Sequence, residues 1–248
     1  MTALKNKEKN SFKELLKTLL VAGSIAVIFR SIFFEPFNIP SGSMIPTLLV
    51  GDYLFVSKYS YGYSKYSFPF GIMPIKNRVL DSSPKRGDVI VFRKPGDESI
   101  DYIKRLIGIP NDTIQVKKGM LYVNGKRATR VKTNIGYMKS VYGGEKIFVQ
   151  YKEKFEDTNF HNIIESSDTD PFDDTIQFKV PEDTFFFMGD NRDNSRDSRT
   201  SEVGFVPKKN LIGKAQIIFF SHNSSASIFE FWKWHKSIRF SRIGKAIE

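Results

Sequence analysis

The chain has no cysteine. That excludes a disulfide framework, thiolate-ligated metals and thiol catalysis. Histidine is almost as scarce, with His161, His222 and His235 the only three, and none stands at a metal-ligand spacing. All three read as solvated side chains. A Ser-His-Asp triad is therefore a poor reading, and no G-x-S-x-G elbow is present to carry one. Glycine-rich phosphate loops are absent too. No zinc-finger spacing, helix-turn-helix or RNA-binding aromatic signature occurs, so nucleic acid is not an expected partner. Acidic residues are the minority sign: 27 Asp and Glu against 38 Lys and Arg leave a net charge of +11. That balance suits an anionic membrane surface or simply a solvated basic surface, and charge alone does not choose.

Long apolar runs are also few; there is one. Residues 1–17 carry Lys5, Lys7, Lys9, Lys13 and Lys17 against Glu8 and Glu14. Thr18 to Phe34 then reads TLLVAGSIAVIFRSIFF, roughly 25 Å of helix at about 1.5 Å per residue. This is short for a hydrocarbon core but within range. Arg30 lies near its outer end, where a long side chain snorkels to the headgroups, and Phe33, Phe34 and Phe37 suit the interface. Length and flanking charge favour a spanning anchor over a removable signal peptide or a buried core helix. The basic start and the apolar stretch to Phe29 fit a signal peptide, but Arg30 and bulky Phe residues follow where small ones are needed. The expected organisation is a basic cytoplasmic N-terminus over 1–17, a transmembrane anchor over 18–34, and an extracytoplasmic domain over 35–248.

Aromatic residues are abundant, with 23 Phe and 10 Tyr, and β-type runs begin after Pro40. Leu48–Lys58, Asp88–Arg93, Tyr102–Ile107, Thr113–Val116, Met120–Val123, Thr184–Met188 and Leu211–Ser221 read as strands, and Asn124-Gly125 as a tight turn. Ser60–Ser83 reads as a long surface loop. Residues 127–180 are polar with weak periodicity and read as an inserted subdomain. The aromatic and basic tail 228–248 suits either an anionic membrane surface or packing on the sheet. The fold class is mostly β.

Three segments suggest chemistry. Two prolines bracket Pro40-Ser41-Gly42-Ser43-Met44-Ile45-Pro46, a turn able to present a hydroxyl and a backbone N–H to a carbonyl. A serine nucleophile needs a base. Without a useful histidine, lysine is the candidate, provided burial depresses its pKa. Period-two alternation puts Tyr102, Lys104 and Leu106 on one strand face, with Arg105 on the other. The polar run Gly189-Asp190-Asn191-Arg192-Asp193-Asn194-Ser195-Arg196-Asp197-Ser198-Arg199 follows the apolar TFFFM, as a hydrogen-bonded supporting loop does. Read as a cation loop it lacks the EF-hand glycine and terminal glutamate.

PSGSMIPTLLVGDYLFVSK, RGDVIVF, DYIKRLIGIPND and GDNRDNSRDSR occur in this order. Together they resemble the four soluble sequence boxes of bacterial type I signal peptidases, Ser/Lys proteases with an N-terminal anchor. The likeness covers about 35–125 and 181–220. It implies a signal-peptidase-like β-sheet catalytic domain with an inserted subdomain, and Ser43 as nucleophile with Lys104 as general base. It further implies that Ser41 adds its hydroxyl to the oxyanion hole, that Ser195 holds the Lys104 amine, and that Asp197 and Arg199 form a supporting ion pair. Ile39, Met44, Leu48, Tyr102 and Ile103 would line shallow pockets for small substrate side chains. The implied partners are preprotein signal peptides and membrane lipid, at the bacterial inner membrane with the N-terminus cytoplasmic and the catalytic domain outside. No metal or cofactor is implied. Arg196, a bulky charge beside Ser195, departs from the family pattern.

The anchor supports this reading separately. Ser43 lies nine residues past Phe34 (43 − 34), at most roughly 30 Å of extended chain, so the site stays near the bilayer where a signal peptide emerges. Two rivals remain at this point. One is a LexA-like self-cleaving Ser/Lys protein, which should be soluble with a DNA-binding domain. The other is an anchored non-enzymatic β-domain that binds lipid or a secretion partner, which gives no reason to pair Ser43 with Lys104.

Overall fold

A computed structural model of the protein describes residues 2–68, 75, 78–139, 145–167, 169–223, 225–226 and 230–248. It opens with one long helix, α1 (Thr2–Ile32). Within it Phe12–Ile32, 21 residues, is long and apolar enough to cross a membrane, and only 6% of that apolar window is buried. A helix so bare is not the core helix of a folded domain. The helix does not end where the expected anchor of 18–34 does. The helix extends further toward the N-terminus and stops at Ile32, because Phe34 already pairs into a sheet. The junction is tied by charge: Glu35 takes Arg30 at 2.5 Å and the buried Lys58 at 2.9 Å.

Among the described residues fourteen strands follow: β1 (Phe34–Asn38), β2 (Asp52–Ser57), β3 (Val89–Lys94), β4 (Asp97–Gly108), β5 (Thr113–Lys117), β6 (Met120–Val123), β7 (Lys126–Arg127), β8 (Thr129–Lys139), β9 (Glu145–Lys154), β10 (His161–Glu165), β11 (Phe178–Lys179), β12 (Thr184–Met188), β13 (Val206–Pro207) and β14 (Leu211–Ser221). The main sheet has seven strands in the order β1-β2-β14-β3-β4-β12-β13. Two smaller sheets run β11-β5-β6-β7 and β10-β9-β8. Every pairing between these strands is antiparallel.

Period-two alternation explains the burial. Val89 and Val91 of β3 enter one core cluster with Ile39, Met44 and Leu48, while Ile90 and Phe92 enter a second with Leu106 and Phe187. Phe185 and Phe187 of β12 face that second cluster, while Phe186 and Met188 face a third with Ile107 and Ile114. Both faces of β12 are covered, which is why TFFFM is a continuous apolar run. Burying each of these phenylalanines contributes about 1.5–3 kcal/mol. At the β6–β7 turn Asn124 and Gly125 both have positive φ, 51° and 77°, as a two-residue hairpin of the type that matches strand twist requires.

Several expectations change. Residues 48–51 are not strand, so β2 starts at Asp52. β4 begins five residues before Tyr102 (102 − 97). The Ser60–Ser83 stretch is not all surface: Tyr61, Ser64 and Ser67 are buried and Tyr63 bridges Val79, while 69–74 and 76–77 lie outside the described residues. The polar stretch 127–180 holds the regular β8-β9-β10 sheet, and its β11 pairs back onto β5. His161 is buried, not solvated, 3.5 Å from Glu153.

Candidate active site

The segment after β1 folds into a tight turn. Ile45 N donates to Gly42 O at 3.2 Å, and Leu48 N donates to Met44 O at 2.9 Å. Met44 and Leu48 are fully buried beneath it, so the hydrophobic core pins the turn and leaves Ser43 at the cleft with 8% exposure. From the opposite side, β4 delivers Lys104. Its Nζ lies 2.8 Å from Ser43 Oγ and 3.0 Å from Ile103 O, and 5.1 Å from the Tyr102 ring centroid. Burial pushes the Lys104 pKa down to about 8, against the opposing pull of the Asp197 and Asp190 carboxylates. Desolvation wins because an ammonium loses most of its hydration at this position.

The loop after β12 holds both arms. Asn191 donates from its backbone N to Ser43 O and from Nδ2 to Gly42 O, each at 3.0 Å. Arg199 grips Asp197 through Nε and Nη2, each at 2.9 Å, and Gly189 N donates to Asp197 Oδ2 at 3.0 Å. Burial alone would raise the Asp197 pKa; the Arg199 charge and these hydrogen bonds outweigh it and hold the carboxyl below its usual range. A Cβ on Gly189 would fall 2.5 Å from Ser43 O and 2.2 Å from Ser195 Oγ, so only glycine fits.

The structure brings together most of the residues singled out in the sequence. Ile39, Ser41, Ser43, Tyr102, Ile103 and Lys104 line one open cleft of about 680 Å³, with Asn194 and Arg196 on its rim. Ser41 is exposed on its wall. Met44 and Leu48 do not line it; they support it from the core. Ser195 is buried, but its hydroxyl packs on Gly189 and is not among the hydrogen-bond partners of Lys104. Its Oγ is close enough to Asp197 to help lower that pKa, without a hydrogen bond of normal geometry.

A second ion pair was not foreseen. Arg105, 1% exposed, grips the fully buried Asp190 through Nε and Nη2 at 2.8 Å each. Asp190 also accepts from Thr47 Oγ1 at 2.5 Å. Strand alternation placed Arg105 opposite Lys104, but nothing in the sequence said that face was buried.

A family match agrees with this geometry. The family described as signal peptidase, peptidase S26, matches residues 12–220. The chain belongs to the signal peptidase family. It is therefore a serine peptidase of the kind that removes signal peptides. Among curated relatives, signal peptidase I of Rickettsia typhi is 42% identical over 240 residues, covering 89% of this chain and 88% of the relative. That of Rickettsia prowazekii is 41% identical with the same coverage. A crystal structure of a signal peptidase I from Enterococcus faecalis is 26% identical, covers 54% of this chain and 97% of its own, and has a TM-score of 0.31. Membership in the signal peptidase family disfavours both the self-cleaving and the non-enzymatic readings, and membrane anchoring fits helix α1.

Proposed function

We propose that Ser43 and Lys104 form the dyad with which this chain cleaves exported preproteins after their signal peptides. The observation that carries the reading is the 2.8 Å approach of a buried lysine amine to the Ser43 hydroxyl. Neutral Lys104 takes the hydroxyl proton as Ser43 Oγ attacks the scissile carbonyl. The Ser43 N–H and the Ser41 hydroxyl stabilise the oxyanion. Lys104 then protonates the leaving amine, and later activates the water that releases the acyl group. Ile39, Tyr102 and Ile103 give the cleft apolar walls suited to small side chains before the cut. Asp197–Arg199 and Asp190–Arg105 fix the two arms, and Ser195 fills the space over Gly189 behind Ser43.

The same reading puts the five N-terminal lysines in the cytoplasm and the β-domain outside. It also brings one sheet face to the lipid. Ring contacts run from the anchor across the sheet: Phe29–Phe34 at 6.3 Å, Phe34–Phe55 at 6.1 Å, Phe55–Phe219 at 4.3 Å and Tyr53–Phe219 at 6.1 Å. Exposed Phe231, Trp232 and Trp234 continue the aromatic character beside Lys233 and Lys236, as an interfacial surface does.

The test is incubation of the detergent-solubilised protein with a secretory preprotein bearing an Ala-x-Ala site, beside Ser43→Ala and Lys104→Ala. The expected result is cleavage at that site by the parent and by neither variant. An intact preprotein after incubation with folded, lipid-supplemented parent contradicts the proposal.

A further inference from the structure

The chain after β14 returns to the catalytic turn. Arg239 N donates to Ser221 O at 2.9 Å, and Ile247 N donates to Gln216 O at 2.9 Å. Ile217 and Ala246 form a bridge between these two. From this returning segment three groups reach the machinery. Arg242 Nε donates to Asp52 Oδ1 at 3.0 Å, while its Nη2 donates to Asp52 Oδ2 at 2.5 Å and to Thr47 O at 2.9 Å. Ile247, 7% exposed, packs into the cluster that holds Ile39, Met44 and Leu48. Glu248 O accepts from Arg105 Nη2 at 3.0 Å.

These contacts fall on both arms of the dyad. Thr47 is four residues past Ser43 (47 − 43), and Arg105 follows Lys104 directly. Asp190 then joins the arms, taking the Thr47 hydroxyl on one side and Arg105 on the other. Asp52 is fully buried and closes the far end of the turn by accepting from Leu49 N at 2.8 Å and Ser221 Oγ at 2.6 Å. A buried carboxylate needs a paired cation; Arg239 Nη2 lies 3.4 Å from Asp52 Oδ1, and Arg242 supplies the nearer charge with the same guanidinium that holds Thr47 O. Proton transfer between two side chains depends steeply on their separation, and small misplacements are costly.

We propose that residues 242–248 are a clasp that sets the separation of Ser43 and Lys104, with Arg242 as its positioning residue. This rests on Ser43 being the nucleophile. The experiment measures kcat and KM for preprotein cleavage by the full-length detergent-solubilised protein, by Arg242→Gln and Arg242→Lys, and by Ser43→Ala as control. For Arg242→Gln, kcat should fall about tenfold to a hundredfold with KM within about twofold of the parent. Ethylguanidinium in the buffer should restore part of that loss and leave the parent unaffected. Arg242→Lys should recover less than half of the loss, because a point charge cannot hold Asp52 and Thr47 O together.

Arg242→Gln also leaves Asp52 with only the longer Arg239 pairing, at 3.4 Å, and weakens the fold, so a double variant, Arg242→Gln with Asp52→Asn, separates the two effects. It should recover thermal stability and not kcat. A kcat for Arg242→Gln within about twofold of the parent overturns the clasp, as does a kcat that returns in the double variant along with stability. Failure of the protease reading looks different: the parent leaves the preprotein intact, or Ser43→Ala cuts as fast as the parent.

Discussion

Lys104 differs from an ordinary lysine in where it sits. Lysine is ordinarily a charged residue on a strand edge; here 5% exposure brings its pKa to about 8 and 2.8 Å brings it to Ser43. Gly189 makes the complementary point. It is an ordinary loop glycine in the sequence, yet the space above its Cα is occupied by Ser195 and the Ser43 carbonyl. Gly189→Ala should displace that carbonyl, destabilise the protein by about 1–3 kcal/mol and lower kcat more than KM. Thermal denaturation together with initial rates checks both; an unchanged melting temperature and rate would contradict the close contact. A serine turn and a strand lysine are each common, so Ser43 and Lys104 stand out in the sequence only through the four boxes that resemble the signal peptidase pattern; the structure brings the two side chains to 2.8 Å. Asp190, Arg105 and Asn191 were not legible, because their roles follow from packing between segments distant in the chain.

At the scale of elements, β12 was readable to the residue because both its faces are apolar, whereas β8, β9 and β10 were not. Their polar sequence conceals a buried ionic network. Arg130 donates to Glu165 at 2.5 Å, and Arg192, from the loop after β12, pairs with the fully buried Glu153 of β9. Burial would raise the Glu153 pKa, but the Arg192 charge and its hydrogen bonds, with His161 3.5 Å away, hold it well below the usual range. Glu153→Gln leaves Arg192 without its counter-charge and should cost about 3–5 kcal/mol. Chemical denaturation reads this directly; a loss under about 1 kcal/mol, the size of an exposed pair, would mean that the network is not load-sharing. Ile164 N donates to Asp190 O at 2.9 Å and Ser166 N donates to Asp193 at 2.5 Å, so the small sheet backs the loop that holds Ser43.

For the whole molecule, the proposed topology sets one helix in the membrane and one sheet face against it. Limited proteolysis of sealed right-side-out vesicles should remove residues beyond α1 and spare an epitope placed before Phe12; the reverse pattern would invert the proposed topology. The apolar N-terminal helix, the apolar strands and the motif order were legible because each is a local signal. The clasp was not, because residues 242–248 carry no motif and matter only through what they touch. The proposed mechanism turns on a lysine that must be neutral to act. The most direct measurement is the pH dependence of single-turnover preprotein cleavage, with Ser43→Ala and Lys104→Ala as controls. Because the Lys104 pKa is depressed to about 8, the rate should be low at acidic pH, climb through a midpoint near that value and level off above it, with neither variant showing turnover. A rate that is flat or falls across that range, or cleavage surviving in Lys104→Ala, would contradict a Ser43–Lys104 protease.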